Sequence, residues 1–138
     1  MSDLVPRSAP YGPSDRPLTI QVQRQEQYAV VKLSGSCTME VSDQIRHCLI
    51  GLSHEMVRVI VLDLSDLDFI DSNGLGGIIA AHLKSRHYRG TLRVVNPNAA
   101  IRDLLAVTRL TQLFTIYPDV ASAVADVGPA GSTRPAGR

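Results

Sequence analysis

Tryptophan is missing from this 138-residue chain, and four tyrosines and two phenylalanines are its only aromatic side chains. So few rings exclude the stacking platform on which single-stranded nucleic acid is held. Charge of one sign is also missing: the formal net charge is +1, with 14 basic and 13 acidic residues. That balance gives no electrostatic footprint for nucleic acid or for an anionic membrane surface. Cysteine is scarce. Cys37 and Cys48 stand alone, with no further metal-type ligands beside them. Two isolated thiols point to a reducing compartment rather than a disulfide scaffold; the pattern places Cys48 in a helix core and Cys37 in a loop. No run approaches the roughly 18 apolar residues needed to span a bilayer. The N-terminus is polar and proline-rich, without the apolar stretch of a secretory signal. A cytoplasmic protein is the expectation, with no membrane and no nucleic acid among its partners.

Catalytic and metal patterns are missing as well. His47, His54, His82 and His87 show no H-E-x-x-H or comparable ligand spacing. His47, His54 and His87 read as surface residues and His82 as the edge of a helix stripe. No G-x-S-x-G elbow surrounds any serine, so no nucleophilic enzyme is expected. Neither a cofactor nor a metal is called for.

What is present is one ordinary domain. Residues 1–17 hold four prolines and no periodicity and read as a disordered N-terminal arm; residues 128–138 read as a flexible C-terminal tail. Between them, residues 18–127 form the folded unit. "LTIQVQRQ" alternates as a half-buried strand, and "YAVVKLSG" follows after Gln25, Glu26 and Gln27, which predicts an opening β-hairpin. Val41, Ile45, Cys48, Leu49 and Leu52 make one face of a helix, with Gly51 near its end. "VRVIVLDL" (57–64) is apolar at nearly every position, as a central parallel strand requires. A second helix carries Leu75, Ile78, Ile79, Leu83 and His82 on its buried stripe. Residues 92–95 are a short strand, and Asn98 caps a third helix with Ile101, Leu104, Leu105 and Thr108 inward. "LFTIY" (113–117) is a last strand, and Pro118 opens a fourth helix running to Val127. The alternation gives an α/β protein: a mixed, mostly parallel sheet of about five strands with about four helices.

The chemistry concentrates in "DLDFIDSNGLGG". Asp63, Asp66, Asp68 and Asp71 fall within nine positions. Their spacing is wrong for an EF-hand loop, so they read as a solvated strand end followed by a helix N-terminal acid, with a basic partner as the functional alternative. "GLGG" is neither a phosphate loop nor a dinucleotide fingerprint, because the third glycine of G-x-G-x-x-G would fall on Ile79. Each glycine inside a helix costs about 1 kcal/mol against alanine. Gly76 and Gly77 therefore imply tight packing, close approach of a partner backbone, or both. Either Asp71 or Ser72 caps the second helix. If Ser72 is only a cap, it contributes ~1 kcal/mol. If it is phosphorylated, it gains about −1.5 to −2 of charge at the edge of the Gly74–Gly77 shelf, and a docked partner loses its surface.

These residues carry a family resemblance. Asp63-Leu64-Ser65, then Ile70-Asp71-Ser72-Asn73-Gly74-Leu75, then Gly90 before a strand, and Leu105, Leu110, Leu113 and Phe114 downstream, closely resemble the STAS domain of bacterial anti-sigma-factor antagonists across about residues 18–127. The resemblance implies the STAS fold and a binding protein rather than an enzyme. The implied partner is an anti-sigma factor that is also a GHKL-type serine kinase. Binding frees the sigma factor, phosphorylation of Ser72 ends binding, and a PP2C-type phosphatase restores it. Asp63, Asp71, Asn73, Gly74, Leu75, Gly76 and Gly77 are the expected surroundings of that switch and its contact face. Two departures stand out. Gly35-Ser36-Cys37-Thr38 lacks the acids that commonly follow this glycine, and Asn73 replaces the usual small Ser, Thr or Ala. The alternative is a STAS subunit of a transporter or other regulatory complex that is never phosphorylated.

Overall fold

The computed structural model describes residues 12–38, 41–55 and 57–127. Among the described residues, five strands and four α-helices follow one another as β1 (Thr19–Arg24), β2 (Tyr28–Cys37), α1 (Ser42–His54), β3 (Val59–Ile70), α2 (Ser72–His87), β4 (Thr91–Val95), α3 (Ala99–Val107), β5 (Ile116–Tyr117) and α4 (Val120–Ala123), with a 3-10 turn at Leu110–Gln112. The sheet order is β1-β2-β3-β4-β5, antiparallel in the opening hairpin and parallel elsewhere. The expected α/β architecture therefore holds.

The sheet has two unequal faces. One packs under α1, α2 and α3 around Ala29, Val31, Leu33, Ile60, Leu62, Leu67, Ile70, Ile78 and Ile101. The other carries Val59, Val61 and Val95 and is covered by Ala123 of α4 and by Val127 in the turn after it. Val59 and Val61 point one way and Ile60 and Leu62 the other, as the period of two demands. This is why "VIVL" is apolar at every position.

β3 is longer than expected and does not end at Leu64. Its pairing with β2 slips between Lys32 and Ser34 and again between Gly35 and Ser36. Each slip places an extra β3 residue opposite β2, the signature of a bulge. Strict alternation from Leu64 would turn Asp66 and Asp68 inward. The first irregularity instead turns Leu67 into the core, the second restores the original parity so that Ile70 is buried as well, and the acids stay at the surface. Because β4 pairs only with residues 59–63, the β2–β3 extension projects beyond the sheet and carries the start of α2 at its tip. Asn98 closes part of the open edge: Nδ2 donates to Leu67 O at 2.7 Å while Oδ1 caps α3 by accepting from Ile101 N at 3.0 Å.

Several expectations are corrected. Residues 14–17, assigned to the arm, are seated on the sheet. Ser36 N donates to Arg16 O (2.9 Å), and Arg16 reaches Asp66 Oδ1 (3.1 Å) and Asp68 Oδ2 (2.8 Å). Gly35, at φ +86°, lets this segment in, since a Cβ there would stand 2.1 Å from Pro17 O. Residues 1–11 and 128–138 lie outside the described residues. Gly51 lies in the last turn of α1, near its end as expected, and the helix runs on to His54. Thr108 is the exposed C-cap of α3 rather than part of its inner face, and Asp119, not Pro118, starts α4 by capping Ser122 N at 2.8 Å. "LFTIY" is mostly turn, with a two-residue strand at its end. Leu83 is 58% exposed, while His82 is 4% exposed and packs edge-on against Phe114, with ring centroids 5.0 Å apart. Cys37 belongs to β2 and is fully buried.

Candidate functional site

The tip of β3 delivers the chain to α2 through one extended residue. Asp71 has φ −84° and ψ 176°, so it is the N-cap, and its Oδ1 accepts from Gly74 N at 2.8 Å. Its backbone N–H donates to Cys37 O at 3.0 Å, which pins the junction to the end of β2. Ser72 is already the first helical residue and is exposed. The capping bond is thus made by the aspartate, and the serine hydroxyl has no capping duty.

The glycines after it divide by environment. At Gly74 a Cβ would lie 2.7 Å from Cys37 Sγ and 2.9 Å from Ile70 Cγ1, so the core beneath the helix start dictates glycine. At Gly77 a Cβ would lie 3.1 Å from Arg46 Cβ, on α1. Packing alone accounts for both. At Gly76 no heavy atom lies within 4 Å of the added Cβ. This glycine has no such internal reason and faces open space on the same helix as Ser72. Leu75 is half-buried and lines, with Ile70, Leu104 and Phe114, an apolar cleft between α2 and α3.

Asn73 is exposed, and its side chain crosses to the neighbouring helix. Nδ2 donates to Ser42 Oγ at 2.6 Å and to Asp43 Oδ1 at 3.0 Å. Further along, Gly77 meets Arg46, and the buried hydroxyls of Ser85 and Ser53 are 3.2 Å apart. The contacts 73 with 42, 77 with 46 and 85 with 53 advance together, so α1 and α2 run parallel with their N-termini side by side. Two positive macrodipole ends then sit on one face, and Asp43 and Asp71 offset them. Ser42 and Asp43 were not among the residues the sequence singled out. An acid after a serine at a helix start was the signal that could have found them.

Asp63 is not brought to this site. It lies eight residues before Asp71 on an extended strand, roughly 25 Å away at ~3.3 Å per residue. It stands in register with Lys32 and Val95, and its Oδ1 accepts from its own Ser65 N at 3.0 Å. Asp66 and Asp68 are likewise engaged, with Arg16 and, for Asp68, the Ser14 hydroxyl at 2.7 Å. Hydrogen bonds from Ser34 and then Arg16 hold the Asp66 carboxyl below its ordinary range. The middle of the acidic run, Asp66 and Asp68, therefore meets a cation from the chain itself. Among the described residues no cluster of three or more His, Cys, Asp or Glu could hold a metal ion, and no helix is long and apolar enough to cross a membrane. Burial, with the Asp71 charge adding to it, pushes the Cys37 thiol up to about 11.

Comparison with known proteins agrees with this fold. The STAS domain family model matches residues 19–123. A curated relative, the anti-sigma F factor antagonist of Paenibacillus polymyxa, is 27% identical over 111 residues, covering 80% of this chain and 95% of its own. The crystal structure of an anti-sigma factor antagonist from Mycobacterium paratuberculosis superposes with a TM-score of 0.72 at 25% identity, covering 82% of this chain and 96% of that one. The Bacillus cell fate determinant SpoIIAA in its phosphorylated form shares the fold, with a TM-score of 0.65 at 19% identity over 80% of this chain and all of that one.

Proposed function

This chain belongs to the STAS domain family, and from that premise we propose that it is an anti-sigma-factor antagonist switched by phosphorylation of Ser72. One observation carries the reading. Ser72 stands exposed at the first turn of α2 while Asp71 performs the capping, so its hydroxyl can be modified without removing a structural bond. The partner is an anti-sigma factor with a GHKL-type serine kinase domain. In its complex the Ser72 oxygen attacks the γ-phosphorus of ATP, the bond to the β–γ bridging oxygen breaks, ADP departs and the hydroxyl proton passes to a base of the kinase. A PP2C-type phosphatase reverses the modification.

The physical consequence is local. The new group adds about −1.5 to −2 of charge, which the positive end of the α2 dipole favours by ~0.3–1 kcal/mol and which neighbouring Asp71 opposes. The fold survives this near-cancellation. A partner resting on Ser72, Asn73, Leu75 and the open Gly76 meets a hydrated dianion in its contact and is released.

The test is incubation of the protein with each GHKL-type serine kinase of its source organism and ATP, followed by intact mass and site mapping. One phosphoryl group on Ser72 is expected. Ser72→Ala should bind the kinase constitutively and Ser72→Asp weakly; equal binding of both at wild-type affinity would defeat the switch. Co-purification with a transporter subunit and an unmodified Ser72 would establish the transporter reading instead.

A further inference from the structure

The start of α1 is a weak point. Val41 occupies its N-cap position and makes no side-chain capping bond, so the first turn lacks the polar cap side chain that usually holds a helix start. The hold comes from another helix. The Asn73 amide sits between the fully buried Ser42 hydroxyl and the exposed Asp43 carboxylate and bonds to both. Asn73 directly follows Ser72, so the clip ties the modifiable residue to the first turn of α1 and holds Asp43 at its side. We propose that Asn73 is a positioning residue for recognition: it fixes Asp43 on the docking face, and a lysine or arginine of the kinase partner reads that carboxylate. This rests on the Ser72 switch proposed above.

Reach makes the assignment specific to the asparagine. A serine or alanine at 73 is too short to bridge to Ser42 and Asp43. A carboxylate there would set two like charges together and lacks the donor that the clip requires. The face defined by Asn73 is thus a two-helix surface rather than a single helix end. It includes a charge that no residue on α2 supplies.

Two measurements on the full chain test this. In two-dimensional 15N NMR spectra, Asn73→Ala should shift the amide resonances of residues 42–45, about thirty positions away in sequence. If those resonances stay in place, the clip does not exist in solution and the proposal fails. In steady-state phosphorylation by the kinase that modifies wild-type Ser72, Asn73→Ala should raise KM roughly three- to tenfold, the loss expected for one or two side-chain hydrogen bonds, with kcat within twofold of wild type. Asp43→Asn keeps an acceptor for Asn73 and removes only the charge. It should leave the side-chain amide resonances of Asn73 near their wild-type positions yet raise KM similarly. Asn73→Ala placed on Asp43→Ala should add little, since both act through one contact. Unchanged KM in both single variants, or fully additive effects, would overturn the recognition role while leaving the switch intact. A wild-type protein that no kinase phosphorylates would overturn the switch and the recognition role together.

Discussion

Three glycines within four positions of α2 should respond to alanine in three different ways, and the reason lies in what each missing Cβ would touch. Gly76 faces open space. Alanine there collects the full helix-propensity gain, about 0.8–1 kcal/mol, and should raise Tm by about 4–6 °C for a domain near 100 residues. Gly77→Ala collects the same gain but brings its Cβ to 3.1 Å from Arg46 Cβ and 3.4 Å from Arg46 Cα. A shift of a few tenths of an ångström between the helices returns most of it, and the net change should stay within about 0.5 kcal/mol. Gly74→Ala meets Cys37 Sγ at 2.7 Å and Ile70 Cγ1 at 2.9 Å. Both atoms are held close to their backbones and buried, so neither can swing away. Overpacking of this kind costs about 1–3 kcal/mol, more than the propensity gain at a helix's first turn, and the net loss should be about 1–2 kcal/mol. Urea unfolding followed by circular dichroism resolves these differences, given m-values of about 1–3 kcal/mol per molar for small domains. Cys37→Ala should soften the Gly74→Ala defect, because the Sγ contact is then gone. The functional half separates from the stability half. Gly76→Ala should be the most stable variant and still bind the kinase partner less well, since its methyl stands clear of every described residue. A lower Tm for Gly76→Ala, or a higher one for Gly74→Ala, would refute the reasoning.

The capping assignment predicts an asymmetry between neighbours: Asp71→Ala should cost about 1 kcal/mol and Ser72→Ala less than about 0.5 kcal/mol, both read from urea midpoints. His82 should make the fold acid-sensitive. Both its ring nitrogens are buried without hydrogen-bond partners among the described residues, and burial, then the charge of Arg86, holds its pKa below the ordinary 6.5. As pH falls the unfolded chain therefore takes up this proton first. Stability should be fully present above about 6.5 and decline from there down to the lowered folded-state value, whereas His82→Leu should flatten that part of the profile. A wild-type urea midpoint unchanged between pH 7.5 and 5.5 would contradict this. The Cys37 thiol, buried and raised to about 11, should resist alkylation at pH 8 in the native protein and react at once after unfolding, as mass spectrometry would report.

How far the sequence carries is best judged at β3 and its tip. The run from Val59 to Leu62 announces a central strand because every residue is apolar, and one physical cause, burial on both faces, is sufficient. Beyond Leu64 the pattern loses its period, and a strand ending there is the reasonable expectation. What continues it is pairing with β2, with bulges that re-aim Leu67 inward and then restore the parity that buries Ile70. Register is a two-strand property and leaves no periodic mark on either strand alone. The seat of Arg16 was hidden for the same reason. A proline-rich segment with no period reads as an arm, yet its two ion pairs and the positive φ of Gly35 are fixed by residues that fold forms from opposite ends of the hairpin and β3.

The Ser72 position shows the sharper limit. Aspartate and serine are both good caps, and propensity cannot choose between adjacent candidates. The choice is made by a backbone angle: Asp71 is extended and Ser72 is helical, because Asp71 N must donate to Cys37 O at the end of β2. A hydrogen bond across the sheet thus decides which of two polar side chains is spent on structure and which is left for chemistry. Tertiary placement likewise locates Asp63 away from the site and brings Asp43 to it. The family motif favoured Asp63, but an extended strand carries residues apart by ~3.3 Å each. Two parallel helices held by Asn73, Gly77 and Ser85 instead bring together positions thirty residues apart. The surface a partner would read is therefore set by how α1 lies against α2, and the asparagine beside the serine is where the sequence records that arrangement.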